Sequence, residues 1–180
     1  MKNIKEQAIV LDMQYTRTQP EPVSERTPKF RNIHLSNITA QTNEAIYING
    51  LAEMPVEDIT FSDIQFDAQK GVVIKEAKNI EFHNVRITTK EGSSIIGENI
   101  TGLVIDGVRT FRPIAGKPAI DLNNVQDVFL YNCNPMKDTD VFLQVKGEKT
   151  KSVLLKNNNF VNALKPLVKD ASVQEAIVVE

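Results

Sequence analysis

Asp58-Ile59-Thr60-Phe61-Ser62-Asp63-Ile64 and, 21 residues later, Asn79-Ile80-Glu81-Phe82-His83-Asn84-Val85 are the stretches on which the fold turns. Both read Asn/Asp, Ile/Val, any residue, large apolar, any residue, Asn/Asp/Gly, Ile/Val. An earlier copy is Asn32-Ile33-His34-Leu35-Ser36-Asn37-Ile38, and weaker copies occupy residues 102–108, 127–133 and 152–158. Successive copies start 21 to 26 residues apart. A period in this range marks a stacked repeat architecture, in which each unit buries its apolar face only against its neighbours.

Each repeat holds a second apolar segment upstream of the motif. The series runs Ala8-Ile9-Val10-Leu11, Ala45-Ile46-Tyr47-Ile48, Gly71-Val72-Val73-Ile74, Ser94-Ile95-Ile96, Ala119-Ile120-Asp121-Leu122, Phe142-Leu143-Gln144-Val145 and Pro166-Leu167-Val168. Val72 to Ile80, Ile95 to Leu103 and Ile120 to Val128 are each eight residues apart. Both segments alternate with period two, which turns one side of each strand inward. Corner residues (Asn, Asp, Gly, Lys) lie between them. No segment carries a long helical stripe.

The pattern predicts an all-β chain: a right-handed single-stranded parallel β-helix of about six to seven coils spanning residues 1–180. Residues 14–29, rich in Pro and Glu, are expected to form a surface insertion, and the stretch from Asn43 to Pro55 to contain a loop with Met54-Pro55. The expected core includes Ile33, Leu35, Ile59, Phe61, Ile80, Phe82, Leu103, Ile105, Val128 and Leu130. Asn37, Asn84, Asn132 and Asn157 fall at one corner, where side chains can bond from coil to coil and left-handed backbone angles are tolerated. A leucine-rich repeat has an overlapping period. It would require one strand and a helical or extended return, whereas here two strand-like segments rich in Ile and Val recur.

Composition sets outer limits. The 41% hydrophobic content suits one folded solenoid, and the net charge of −2 gives no nucleic-acid footprint. No apolar run is long enough to span a membrane, and no signal core follows Met1, which places the chain as written in the cytoplasm. The single Cys133 reads as a small core residue, and no metal site is expected.

The residues also carry a family likeness. The segment from Ala8 to Tyr15, then Arg26-Thr27-Pro28-Lys29-Phe30-Arg31-Asn32-Ile33-His34-Leu35-Ser36-Asn37-Ile38, and the stretch Gly50-Leu51-Ala52-Glu53-Met54-Pro55 resemble the C-terminal third of bacterial polygalacturonases, glycoside hydrolase family 28. The likeness is strongest over residues 1–90. It implies a parallel β-helix, hydrolysis of galacturonan with inversion by clustered aspartates, no cofactor, and a secreted or periplasmic parent. The family's catalytic signatures are Asn-Thr-Asp, Asp-Asp, Gly-His-Gly and Arg-Ile-Lys, and none occurs here. In the family they precede the matched region, so the resemblance implies a C-terminal fragment that is inactive alone.

Inverting glycosidases hold two carboxyl groups about 6.5 to 9.5 Å apart. Aligning the first strands coil by coil gives one weak catalytic candidate pair, Glu98 and Asp121, as outward diagonal neighbours roughly 8 Å apart. Lys75 falls one coil from Glu98, so a surface ion pair is the simpler account. His34 and His83 read as solvent-facing strand residues in non-adjacent coils. Candidate sugar contacts are Tyr15, Tyr47 and Lys75, with galacturonan as the polymer partner. A non-catalytic carbohydrate-binding module and a self-assembling structural solenoid are the alternatives, and self-association through an uncapped N-terminal end is expected.

Overall fold

The computed structural model describes residues 1–14, 22–111 and 113–180. Tyr15 therefore lies outside the described residues. Parallel strands wind into a β-solenoid of about six turns, with no helix among the described residues.

Each coil has up to three faces. The first face stacks β1 (Ile4–Asp12), β3 (Thr39–Asn49), β5 (Gln65–His83), β7 (Ile95–Asp106), β9 (Pro118–Tyr131), β10 (Thr139–Lys146) and β12 (Ala163–Lys169), all parallel. The second stacks β2 (Arg31–Ser36), β4 (Val56–Ser62), the later parts of β5, β7 and β9, then β11 (Lys151–Lys156) and β13 (Val178–Val179). The third face is shorter. It joins the start of β3, the start of β5, β6 (Arg86–Thr89) and β8 (Arg109–Phe111).

Apart from a register shift between Ile4 and Gln7 of β1, corresponding positions stay paired from coil to coil. On the first face Val10, Tyr47, Val73, Ile96, Asp121 and Gln144 pair in sequence. On the second, Ser36, Ser62, His83, Asp106, Tyr131 and Lys156 do so.

The recurring motif explains the corners. Its first position has positive φ in every copy: Asn32, Asp58, Asn79, Gly102, Asp127 and Ser152, at 51° to 75°. Its sixth position does too: Asn37, Asp63, Asn84, Gly107, Asn132 and Asn157, at 52° to 62°. Asn, Asp and Gly are the residues that enter this region at least cost. Two left-handed residues five apart bend the chain at both ends of each second-face strand. Side chains then link the corners. Asn79 donates to Asp58 at 2.9 Å, Asn84 to Asp63 at 2.7 Å and Asn157 to Asn132 at 2.7 Å. Asn132 reaches Asp106 at 2.9 Å, because Gly107 in the coil before it has no side chain to offer.

Between the faces lies a continuous apolar column. Ile59, Phe61, Ile80, Phe82, Leu103, Ile105, Val128 and Leu130 are buried, as the period-two reading requires. Ile33 and Leu35 pack against this core but remain half-buried, since β2 pairs only with β4. Phe61 and Phe82 stack at 5.0 Å with their planes 12° apart. Cys133 is buried, and burial pushes its thiol up to about 12, which leaves it inert at neutral pH.

The loop expected within Asn43 to Pro55 occupies the end of that stretch. Residues 43–49 belong to β3, which runs through Asn49. Only residues 50–55 leave the strand, closed by Leu51 N–H to Met54 O at 3.1 Å and its reciprocal bond at 3.0 Å. The polar run Thr39-Ala40-Gln41-Thr42-Asn43-Glu44 hid the start of β3, because its paired backbone does not depend on apolar side chains.

Gly71 shows how closely the coils approach. A Cβ there would lie 2.2 Å from the Ser94 carbonyl oxygen, which accepts the Val72 N–H at 2.8 Å. The obstacle is backbone, not a movable side chain. Gly71→Ala is therefore expected to destabilise the protein by about 1–3 kcal/mol. Urea denaturation would show a lowered midpoint with an unchanged slope. An unchanged midpoint would contradict this packing.

Candidate functional site

The first face presents two outward rows along the solenoid axis. One is Val10, Tyr47, Val73 and Ile96, then Asp121 and Gln144. The other is Asp12, Asn49, Lys75, Glu98, Asn123 and Lys146. Val10 and Ile96 are exposed, and Tyr47 and Val73 are half-buried. Of the sequence-derived sugar contacts, Tyr47 and Lys75 share this face, on neighbouring coils.

Glu98 is in register with Asn123, which puts Asp121 on the diagonal, two residues earlier in the next coil. Each carboxylate already has a cation. Lys75 Nζ lies 3.5 Å from Glu98, and Lys146 Nζ lies 3.0 Å from Asp121. Glu98 and Lys75 are more than a third exposed, so that pair contributes little to stability. At the other end of the row, Asp12 accepts from the Asn49 amide at 3.0 Å. The face can thus offer an apolar strip flanked by paired charges, a surface suited to contact more than to proton transfer.

The second face carries a cluster that the sequence reading left unassembled. His83 Nδ1 lies 3.2 Å from Asp106 Oδ2, and its Nε2 lies 3.1 Å from Glu81 Oε2. Asp106 also accepts from Asn132, and Tyr131, in register with it, presents its hydroxyl to the same carboxylate. Next to Tyr131, Phe129 stacks on the phenol ring at 4.6 Å. His83 is on the outward side of its strand, with the ring half-buried and engaged at both nitrogens. His34 is exposed as expected.

Burial of the His83 ring works against its charge. The hydrogen bonds and negative charges of Glu81 and Asp106 outweigh that and raise its pKa above the ordinary 6.5. For Asp106, burial again opposes the charged form, but Asn132 and His83 prevail and hold the carboxyl below 3.8. Burial, then the Asp106 charge, pushes the Tyr131 phenol upward. The missed signal was in the repeat: Glu81 and His83 are two residues apart on one strand side, and Asp106 occupies the fifth motif position of the next copy.

Among the described residues, no group of three or more His, Cys, Asp or Glu side chains could hold a metal ion. Nor is any helix long and apolar enough to cross a membrane.

The family model for glycosyl hydrolases family 28 matches residues 1–90, half of the chain. The chain belongs to that family and forms a polygalacturonase-like β-helix region. No curated protein and no solved structure matches it.

Proposed function

We propose that this region contacts galacturonan along its first face and does not itself hydrolyse it. The observation that carries the reading is the family match over residues 1–90, the part of the chain that contributes Val10, Tyr47, Val73 and Lys75 to the outward rows. Several features of the rows support it. The strip runs from coil to coil, so a linear polymer can follow it with one contact per rise of about 4.8 Å. Tyr47 and the flanking Val10, Val73 and Ile96 supply apolar surface for sugar C–H faces. Lys75 supplies a positive charge for a uronate carboxylate, in competition with Glu98 at 3.5 Å. That competition keeps the contact weak.

Hydrolysis would need one protonated carboxyl group and one free carboxylate as base. On the first face Glu98 and Asp121 lie on the diagonal of adjacent coils, and each has a lysine beside it.

Affinity electrophoresis through gels containing polygalacturonate tests the binding. The native chain should be retarded. Tyr47→Ala and Lys75→Ala should each weaken binding about 3- to 10-fold, the scale of one exposed polar or stacking contact. Retardation unaffected by both substitutions would place the contact elsewhere, and no retardation would remove it.

A further inference from the structure

We propose that His83 is a protonation-controlled clasp between neighbouring coils, closed in mildly acidic solution and opened as the imidazole loses its proton. The argument begins with hydrogen count. A neutral imidazole has one N–H and one lone pair, and only the imidazolium donates from both nitrogens. Here a different carboxylate stands at each nitrogen, Asp106 at 3.2 Å and Glu81 at 3.1 Å. Whichever tautomer the neutral ring adopts, one of these contacts sets a lone pair against a carboxylate oxygen. The geometry fits the charged ring alone.

The contacts join two coils. Glu81 and His83 lie on β5, and Asp106 lies on β7, in register with His83. On the other side, β4 offers Thr60 and Ser62 in register with Glu81 and His83, neither of them titratable in this range. From β9, Tyr131 faces Asp106. At the adjoining corner Asp63 is engaged by the Asn84 amide at 2.7 Å. One coil beyond Tyr131, Lys156 is tied to Glu180 at 3.0 Å. No lysine or arginine contacts either carboxylate of the clasp in the described structure, so the imidazole is their cation.

The cluster is not a ligand site. Both ring nitrogens are used internally, in different directions, and Asp106 is already shared among His83, Asn132 and Tyr131.

The direction of the pH effect follows. A histidine raised on folding contributes stability in full below its ordinary value of 6.5 and loses it as pH climbs through the folded value. The lowered Asp106 contributes above 3.8 and loses its contribution as pH falls through its folded value. The clasp is closed between these limits and opens on the alkaline side.

Proton NMR titration of the imidazole resonances in the 180-residue chain tests this, with His34→Gln used to assign the two rings. The His83 midpoint should lie above 6.5, and Glu81→Gln and Asp106→Asn should each lower it. A midpoint at or below 6.5, or one that neither substitution moves, overturns the proposal. Melting provides an independent measurement. Between pH 5.5 and 8, the native chain should lose about 1–3 °C more than His83→Gln, a small effect because the ring is partly solvated. Identical pH dependence in the two proteins overturns the clasp.

Discussion

Phe82→Ala is expected to lower the stability of the solenoid by about 3–5 kcal/mol. The side chain is fully buried and stacks on Phe61 of the preceding coil at 5.0 Å. Its loss forfeits the transfer energy of the ring and the stacking contact, and it leaves a cavity between coils. Collapse into that cavity is resisted. The backbone of β5 is fixed in register with β4 on one side and β7 on the other, and Asn79 and Asn84 tie both ends of the strand to the coil before. The melting temperature should fall by about 6–20 °C for a domain of this size. Phe129→Ala is the contrasting substitution, because that ring is on the outer side of the second face and half-buried. It should cost well under half as much. Equal effects at the two positions would mean that the inward and outward sides have been assigned wrongly.

Much of this architecture was legible in residues. The motif at Asp58 and Asn79 marks both bends of a strand, because its first and sixth positions must accept left-handed angles and its second and fourth must be apolar. The eight-residue spacing from Val72 to Ile80 gave the first and second faces, and the observed register pairs the residues that the alignment paired. The third face was harder to see. Its strands are short, and β3 enters it through Thr39, Gln41 and Thr42, residues that announce a loop by composition. What holds that face is backbone pairing, such as Thr39 with Gln65, together with Thr42 Oγ1 donating to the Glu6 carbonyl at 2.8 Å. Neither leaves a hydrophobic trace. A third set of left-handed residues, Glu76, Asn99 and Asn124, separates the first and second faces. Glu76 is a poor advertisement for such a corner, although Asn99 bonds to it at 2.6 Å.

The outward surfaces divide in the same way. Alignment of the first strands placed Tyr47, Lys75, Glu98 and Asp121 on one outward face, and they share that face in the structure. The Lys75–Glu98 pair was legible because both residues occupy one row. The Asp121 partner, Lys146, needed the next coil, where Gly147 and the residues after it lengthen the turn and blur the repeat. The His83 cluster was harder to see, because its members come from two coils and the fifth motif position changes residue type from copy to copy. Reading the fifth motif position down the copies as Ser36, Ser62, His83, Asp106, Tyr131 and Lys156 brings histidine and aspartate together.

The central proposal is that this region of family 28 architecture does not hydrolyse galacturonan by itself. General acid or base catalysis alone contributes about 10²- to 10⁴-fold, so a site lacking both roles falls below detection. None of the family's Asn-Thr-Asp, Asp-Asp, Gly-His-Gly or Arg-Ile-Lys signatures is present. On the first face the diagonal pair Glu98 and Asp121 is engaged by Lys75 at 3.5 Å and Lys146 at 3.0 Å. The most direct measurement is release of reducing ends from polygalacturonate by the purified 180-residue chain, across pH 4 to 8. The account predicts no release above the protein-free blank at any pH. Sustained release that is abolished by Glu98→Gln or by Asp121→Asn would contradict it and would establish a working site on the first face.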